Sequence, residues 1–143
     1  MGAQAARGQI TITTMSNYVK INIAEVEDLA PKFGMDEMGE ARFARGVLGA
    51  EQIGLSYYRL KPGQRLGFGH RHESDEEVYL VLSGSGRFKV EDDVVEVGPR
   101  DLVFVPPSAM RGWECDADGM EMIAFGGHTE GAVTDMDQEF WAG

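Results

Sequence analysis

The apolar residues of this chain come in short runs, and nearly every run is closed by glycine or proline. Glu77–Leu82 reads Glu-Val-Tyr-Leu-Val-Leu, a strand buried by its composition, and it ends at Gly84-Ser85-Gly86. Arg87–Val90 follows, then the acidic turn Glu91-Asp92-Asp93 and Val94–Val97. Gly98-Pro99-Arg100 turns the chain before Asp101–Val105, and Pro106-Pro107-Ser108 turns it again. Arg111–Cys115 and Met120–Phe125 read as the last strands, joined by the loop Asp116-Ala117-Asp118-Gly119. Upstream, Tyr18–Ile23 alternates as a strand, and Glu25–Leu29 fits one helical turn before Pro31. Ala41–Leu48, Glu51–Leu60 and Arg65–His72 are further apolar-rich runs, the second closed by Lys61-Pro62-Gly63. No segment is long enough for the helix of a βαβ crossover. The pattern predicts one all-β domain, a sandwich or barrel. The 19 glycines in 143 residues, against a usual ~7%, fit a fold with many tight turns.

Charge removes whole classes of partner. Lys+Arg is 13 and Asp+Glu is 24, a formal net charge of −11. A duplex-binding protein needs a positive footprint, and so does docking on an anionic membrane, so neither nucleic acid nor membrane is an expected partner. No apolar stretch approaches the ~18–20 residues of a membrane span. The single cysteine, Cys115, has no partner for an internal disulfide and reads as a small buried hydrophobe.

Residues 1–17 read as an extension ahead of a domain at 18–143. Met15 could be a start, with Met1–Thr14 vector-derived; alternatively Ile10–Thr14, β-branched and alternating, is a strand that needs an edge. Such an edge could belong to a second copy, and a homodimer is expected. The N-terminus has no apolar h-region, so no secretory leader is read and the expected location is cytoplasmic. Asp135–Trp141 is a short amphipathic tail that would lay Phe140 and Trp141 on the barrel exterior or on a partner.

Chemistry concentrates in Gly69-His70-Arg71-His72-Glu73-Ser74-Asp75-Glu76-Glu77. Side chains two apart on a strand share a face, so His70 and His72 project together. They are two of only three histidines. If the next strand returns as a hairpin, Glu77 comes back beside them, with Tyr79 and Val81 on its face. Two imidazoles and a carboxylate leave open positions on a metal, as non-haem Fe(II) and hydrolytic zinc sites do. The plainer alternative is a pair of hydrogen-bonded barrel-mouth histidines. Glu76 competes with Glu77 for the ligand's place. His128 reads as a solvated loop histidine, with a replacement ligand as the alternative.

These residues resemble the two motifs of the cupin superfamily, small jelly-roll β-barrels. The first motif reads Gly63, His70-x-His72, four residues, Glu77, six residues, Gly84, with the first gap one residue longer than usual. The second reads Arg100-Asp101, a β-run, Pro106-x-Ser108 and Arg111. Arg100 and Ser108 stand at family glycines, Arg111 at the third histidine ligand, and Cys115 at the later Asn. The resemblance implies a cupin-like double-stranded β-helix with short helical turns. It implies a divalent metal (Fe, Mn, Ni or Zn) on His70, His72 and Glu77. Whether such a barrel is an enzyme is left open: cupins include dioxygenases, isomerases and lyases, and also non-catalytic domains.

Arg111 is the departure that matters. A guanidinium has donors and no lone pair to ligate a metal. At ~5 Å from a divalent ion it would cost about 6–7 kcal/mol at an effective dielectric of ~20. It therefore swings away, pairs with Glu77 in place of the metal, or holds the anionic end of a ligand. On the last reading the barrel takes a small carboxylate or phosphate, with Arg111, Tyr79 and Trp113 contacting it. For Tyr79 and Trp113 core packing is the plainer reading. The alternative function is a non-catalytic small-molecule-binding barrel or a degenerate metal-free one.

Overall fold

A computed structural model describes residues 10–14 and 17–142. Its strands are β1 (Thr13–Thr14), β2 (Val19–Lys20), β3 (Gly39–Phe43), β4 (Ile53–Leu60), β5 (Gly69–His72), β6 (Glu77–Val90), β7 (Asp93–Val97), β8 (Leu102–Val105), β9 (Arg111–Gly127) and β10 (Thr134–Asp137). Among the described residues, helix is confined to short turns at Ile23–Glu25, Ala30–Phe33 and Arg45–Leu48. The all-β jelly-roll expectation holds.

Two long strands organise the barrel. The sequence suggests that Gly84-Ser85-Gly86 ends one strand and Asp116–Gly119 another; instead β6 and β9 run through both places and pair with each other from Glu77↔Gly126 to Val90↔Arg111. The glycines bend these strands rather than end them. The register shifts between Val81 and Ser83 and between Gly84 and Gly86, and Gly84 and Gly119 have φ of +78° and +77°. A Cβ at Gly84 would lie 2.0 Å from the Gly119 carbonyl oxygen, so only glycine lets the bent strands approach this closely.

The bend folds one sheet into two layers. In one, β6 pairs with β8 through Glu77–Leu80, β9 pairs with β4, and β4 with β3. In the other, β6 pairs with β7 through Gly86–Val90, β9 meets β5 at His70↔Arg111, and β5 pairs with β10. Tyr79, Val81, Phe88, Val105, Trp113 and Met122 are fully buried between the layers.

The outer faces differ. On the β5 layer, Phe140 is buried against Gly69 and Gly112, whose missing side chains leave room for its ring. Lys89 lies 4.4 Å from the centre of that ring and Arg65 4.2 Å from that of Trp141, and the Trp141 indole donates to the Leu66 carbonyl at 2.8 Å. The tail thus lies on the barrel exterior, and its first part is the strand β10. On the other layer two cross-strand rows stay open: Phe104–Val78–Phe125–Leu55 and Leu102–Leu80–Ile123–Tyr57. Leu102 is 64% exposed and Phe104 56%. The buried strand expected at Glu77–Leu82 is therefore buried on one face only.

Near the N-terminus, the strand read over Tyr18–Ile23 shortens to β2, which pairs with β1. Thr13-Thr14 thus finds an edge within its own chain. Met1–Gln9, Met15 and Ser16, which carry the alternative start, lie outside the described residues. The Arg65–His72 run becomes a strand only from Gly69 onward.

Candidate metal centre

The two histidines and the glutamate converge, but not through a hairpin. β5 meets β9 at Arg111, whereas the Glu77 end of β6 pairs with β9 at Gly126, so β5 and that end of β6 lie in opposite layers, and the turn 73–76 carries the chain across the barrel end. Glu77 therefore meets the imidazoles across the interior. Ligand atoms of His70, His72 and Glu77 all lie within 4.8 Å of one another. His72 Nε2 is 3.1 Å from Glu77 Oε1, and His70 Nε2 is 4.0 Å from the same oxygen. The rings of His70 and His72 are 5.2 Å apart, edge to face. Glu76 is not in the cluster; β6 parity turns it away.

Neighbouring groups hold the three in place. The Tyr79 hydroxyl donates to Glu77 and lies 3.5 Å from His70 Nε2. Thr134 Oγ1 is 3.4 Å from His72 Nδ1, leaving His72 Nε2 to face Glu77. Trp113 stands edge-on to His70 at 5.8 Å. Burial pulls His70 down to about 4, with Arg111 and His72 adding to the shift and Glu77 opposing it. Burial pushes Glu77 up, but hydrogen bonds from His72 and Tyr79 outweigh it and hold the carboxyl below its usual range. Burial and the charge of Glu77 push the Tyr79 hydroxyl up. At neutral pH the site offers neutral His70 and ionised Glu77, protonation states that metal ligation requires.

The donor set fits a divalent transition ion: two imidazole nitrogens and one carboxylate oxygen, with Tyr79 and Thr134 as outer partners. Arg111 does not take Glu77 from it. Its side chain is fully buried, and Nη1 and Nη2 donate to the carbonyls of His70 at 3.4 Å and Pro106 at 3.3 Å. Nε has no partner. Among the described residues no carboxylate lies within 4.0 Å of the guanidinium. Arg111 is not among the residues that line the cavity; the backbone carbonyls of His70 and Pro106 hold its guanidinium.

The cluster opens on a cavity of about 850 Å³. His70, His72, Glu77 and Trp113 line it, as does His128, while Tyr79 and Arg111 do not. His128 is thus a cavity residue rather than a solvated one, though outside the cluster. Sequence reasoning missed much of the wall: Met35, Met38 and Phe43 from the segment before β4, and Tyr58 on β4. Tyr58 was legible in principle, since Ser56, Tyr58 and Leu60 share one face of a strand. The segment before β4 carries no such period. Cys115 is buried, its thiol directed at the Lys61 carbonyl at 3.0 Å, as the hydrophobe reading expects.

Comparison with known proteins agrees with the fold. The cupin domain family matches residues 56–125. A cupin protein from Bacteroides fragilis is similar over 82% of this chain and 89% of its own, with a TM-score of 0.65 and 20% identity. Oxalate decarboxylase from Bacillus subtilis is similar over 86% of this chain but 32% of its own, with a TM-score of 0.68 and 22% identity. A sugar phosphate isomerase from Silicibacter pomeroyi is similar over 68% of this chain and 64% of its own, with a TM-score of 0.59 and 17% identity. The chain thus spans under two thirds of the two named enzymes. No curated protein matches it. With both half-motifs on the jelly roll, the chain carries a single small cupin domain, matched over residues 56–125.

Proposed function

We propose that this chain is a metal-binding cupin that binds or acts on a small anionic molecule in its barrel. The observation that carries the reading is the convergence of His70, His72 and Glu77 from opposite layers within 4.8 Å, at the wall of a cavity. These residues would hold the ion, which would supply Lewis acidity or a redox centre. The chain's own groups bind and orient: Tyr79 fixes Glu77, Thr134 faces His72, and Trp113 forms the wall beside His70. Fe, Mn, Ni and Zn all accept this donor set. Arg111 supports the alternative of a metal-poor binding barrel, because its buried positive charge opposes a second cation nearby.

Elemental analysis of protein purified without a His tag or chelating resin tests the reading. About one equivalent of a transition metal per chain supports it. No uptake after reconstitution with Fe(II), Mn(II), Ni(II) and Zn(II) overturns its metal half. Turnover of small acids under O₂ by loaded protein then separates an enzyme from a binding module.

We also infer a homodimer through the open rows of the β8–β6–β9–β4 face. An apolar face on a two-fold axis is self-complementary, and an uncovered one of this kind marks an interface.

A further inference from the structure

We propose that the cavity selects a ligand with an apolar body and one acidic head, the head at the histidine cluster and the body along the wall. The proposal rests on the metal reading for the head alone. The wall is aromatic and thioether: Met35, Met38, Phe43, Tyr58, Phe68 and Trp113. Methionines adapt to irregular apolar shapes, and pockets of this size hold drug-sized molecules. Phe33 and Met136, also on the wall, are 58% and 52% exposed, so an apolar body would cover them.

Charge on the wall agrees. Glu40 is engaged by Arg42 at 2.9 Å and Arg59 at 2.8 Å. Among the described residues Arg45 has no carboxylate within 4.0 Å, and its Nη1 donates to the Ala50 carbonyl at 3.0 Å. Apart from Glu77 at the cluster, the wall thus presents an acid with no carboxylate free of an arginine. A dicarboxylate as small as oxalate would leave most of the volume empty.

The test is calorimetric titration of metal-free and metal-loaded protein with straight-chain monocarboxylates from acetate to dodecanoate, below micelle formation, and with oxalate and glucose 6-phosphate. Affinity should tighten about fourfold per added methylene until the cavity fills, since burying each one is worth ~0.8 kcal/mol. The slope should be the same in both forms, with the metal adding a constant factor for the head. Gly54 shares the inward face of β4 with Tyr58, and a Cβ there meets nothing nearer than 3.8 Å. Gly54→Leu should therefore stop the rise at a shorter chain. Affinity independent of chain length, oxalate or glucose 6-phosphate binding tighter than decanoate, or a slope untouched by Gly54→Leu overturns the proposal. If the protein takes up no metal but the slope holds, the metal reading fails and the apolar-body inference stands; if it loads and loading makes no difference, the placement of the head at the cluster is overturned.

Discussion

The two layers of the barrel finish their outer faces in opposite ways. The layer that carries His70 and His72 is covered by the chain's own tail, with Phe140 over Gly69 and Gly112 and β10 paired to β5 through Thr134↔His72 and Met136↔His70. The layer that carries Glu77 leaves Leu102 and Phe104 bare. The candidate metal centre is built from both layers. Its histidine half is fixed within the chain, while the back of its carboxylate half awaits a cover. Disturbing the tail should therefore reach the site, and disturbing the bare face should reach association only.

Phe140→Ala breaks the covered side. Removing a buried Phe costs about 3 kcal/mol or more, and β5 loses the ring packed behind Gly69. Denaturant unfolding should show that loss, and metal affinity should fall with it. An unchanged metal affinity would detach the tail from the site.

Acid acts next, and on the same layer. The folded-state value of His70, about 4, lies below the ordinary 6.5, so the unfolded chain binds more protons between them. Stability of metal-free protein is then fully present above pH 6.5 and declines as pH falls toward 4, by about 3 kcal/mol from this group. Glu77, also held low, adds loss in the same direction. A flat unfolding free energy from pH 7 to 4.5 would contradict the burial of His70.

Arg111→His sharpens the comparison at the centre. It removes a buried cation that donates to the His70 carbonyl and supplies the imidazole that the resemblance expects there, and metal affinity should rise at least tenfold. Equal affinity in the two forms would show that Arg111 does not act on the site.

Phe104→Asp breaks the bare side with the least effect on the monomer, within about 0.5 kcal/mol. Sedimentation at micromolar concentration should move from dimer to the 15.7 kDa species, with metal uptake unchanged. A wild-type chain that sediments only as monomer removes the dimer.

The strand-turn rhythm and the spacing from Gly63 to Gly84 were enough to predict the barrel and to name His70, His72 and Glu77. Bends could not be told from breaks, because Gly84 and Gly119 carry the same signal in a bulge as in a turn. The relation of Glu77 to the histidines was misread as a hairpin for a similar reason: a four-residue turn joins two strands of one sheet or crosses between layers, and local sequence does not choose. Arg111 was identified as the departure, but its position depends on the carbonyls of His70 and Pro106, which are contacts made only in the folded chain. The wall from Phe33 to Phe43 has no period to read. Period-two alternation did mark the inward face of β6, whereas the outward Val78, Leu80 and Leu82 suggested burial that the single chain does not supply.

The central claim is that a divalent ion sits between the layers on His70, His72 and Glu77. Titration of metal-free protein with Mn(II) or Zn(II), wild type against His72→Ala, tests it most directly. One equivalent per chain should bind in the wild type. In a folded His72→Ala protein the affinity should fall by well over the ~10–100-fold of losing an outer partner. Equal binding by the two proteins, or none by the wild type, would contradict it.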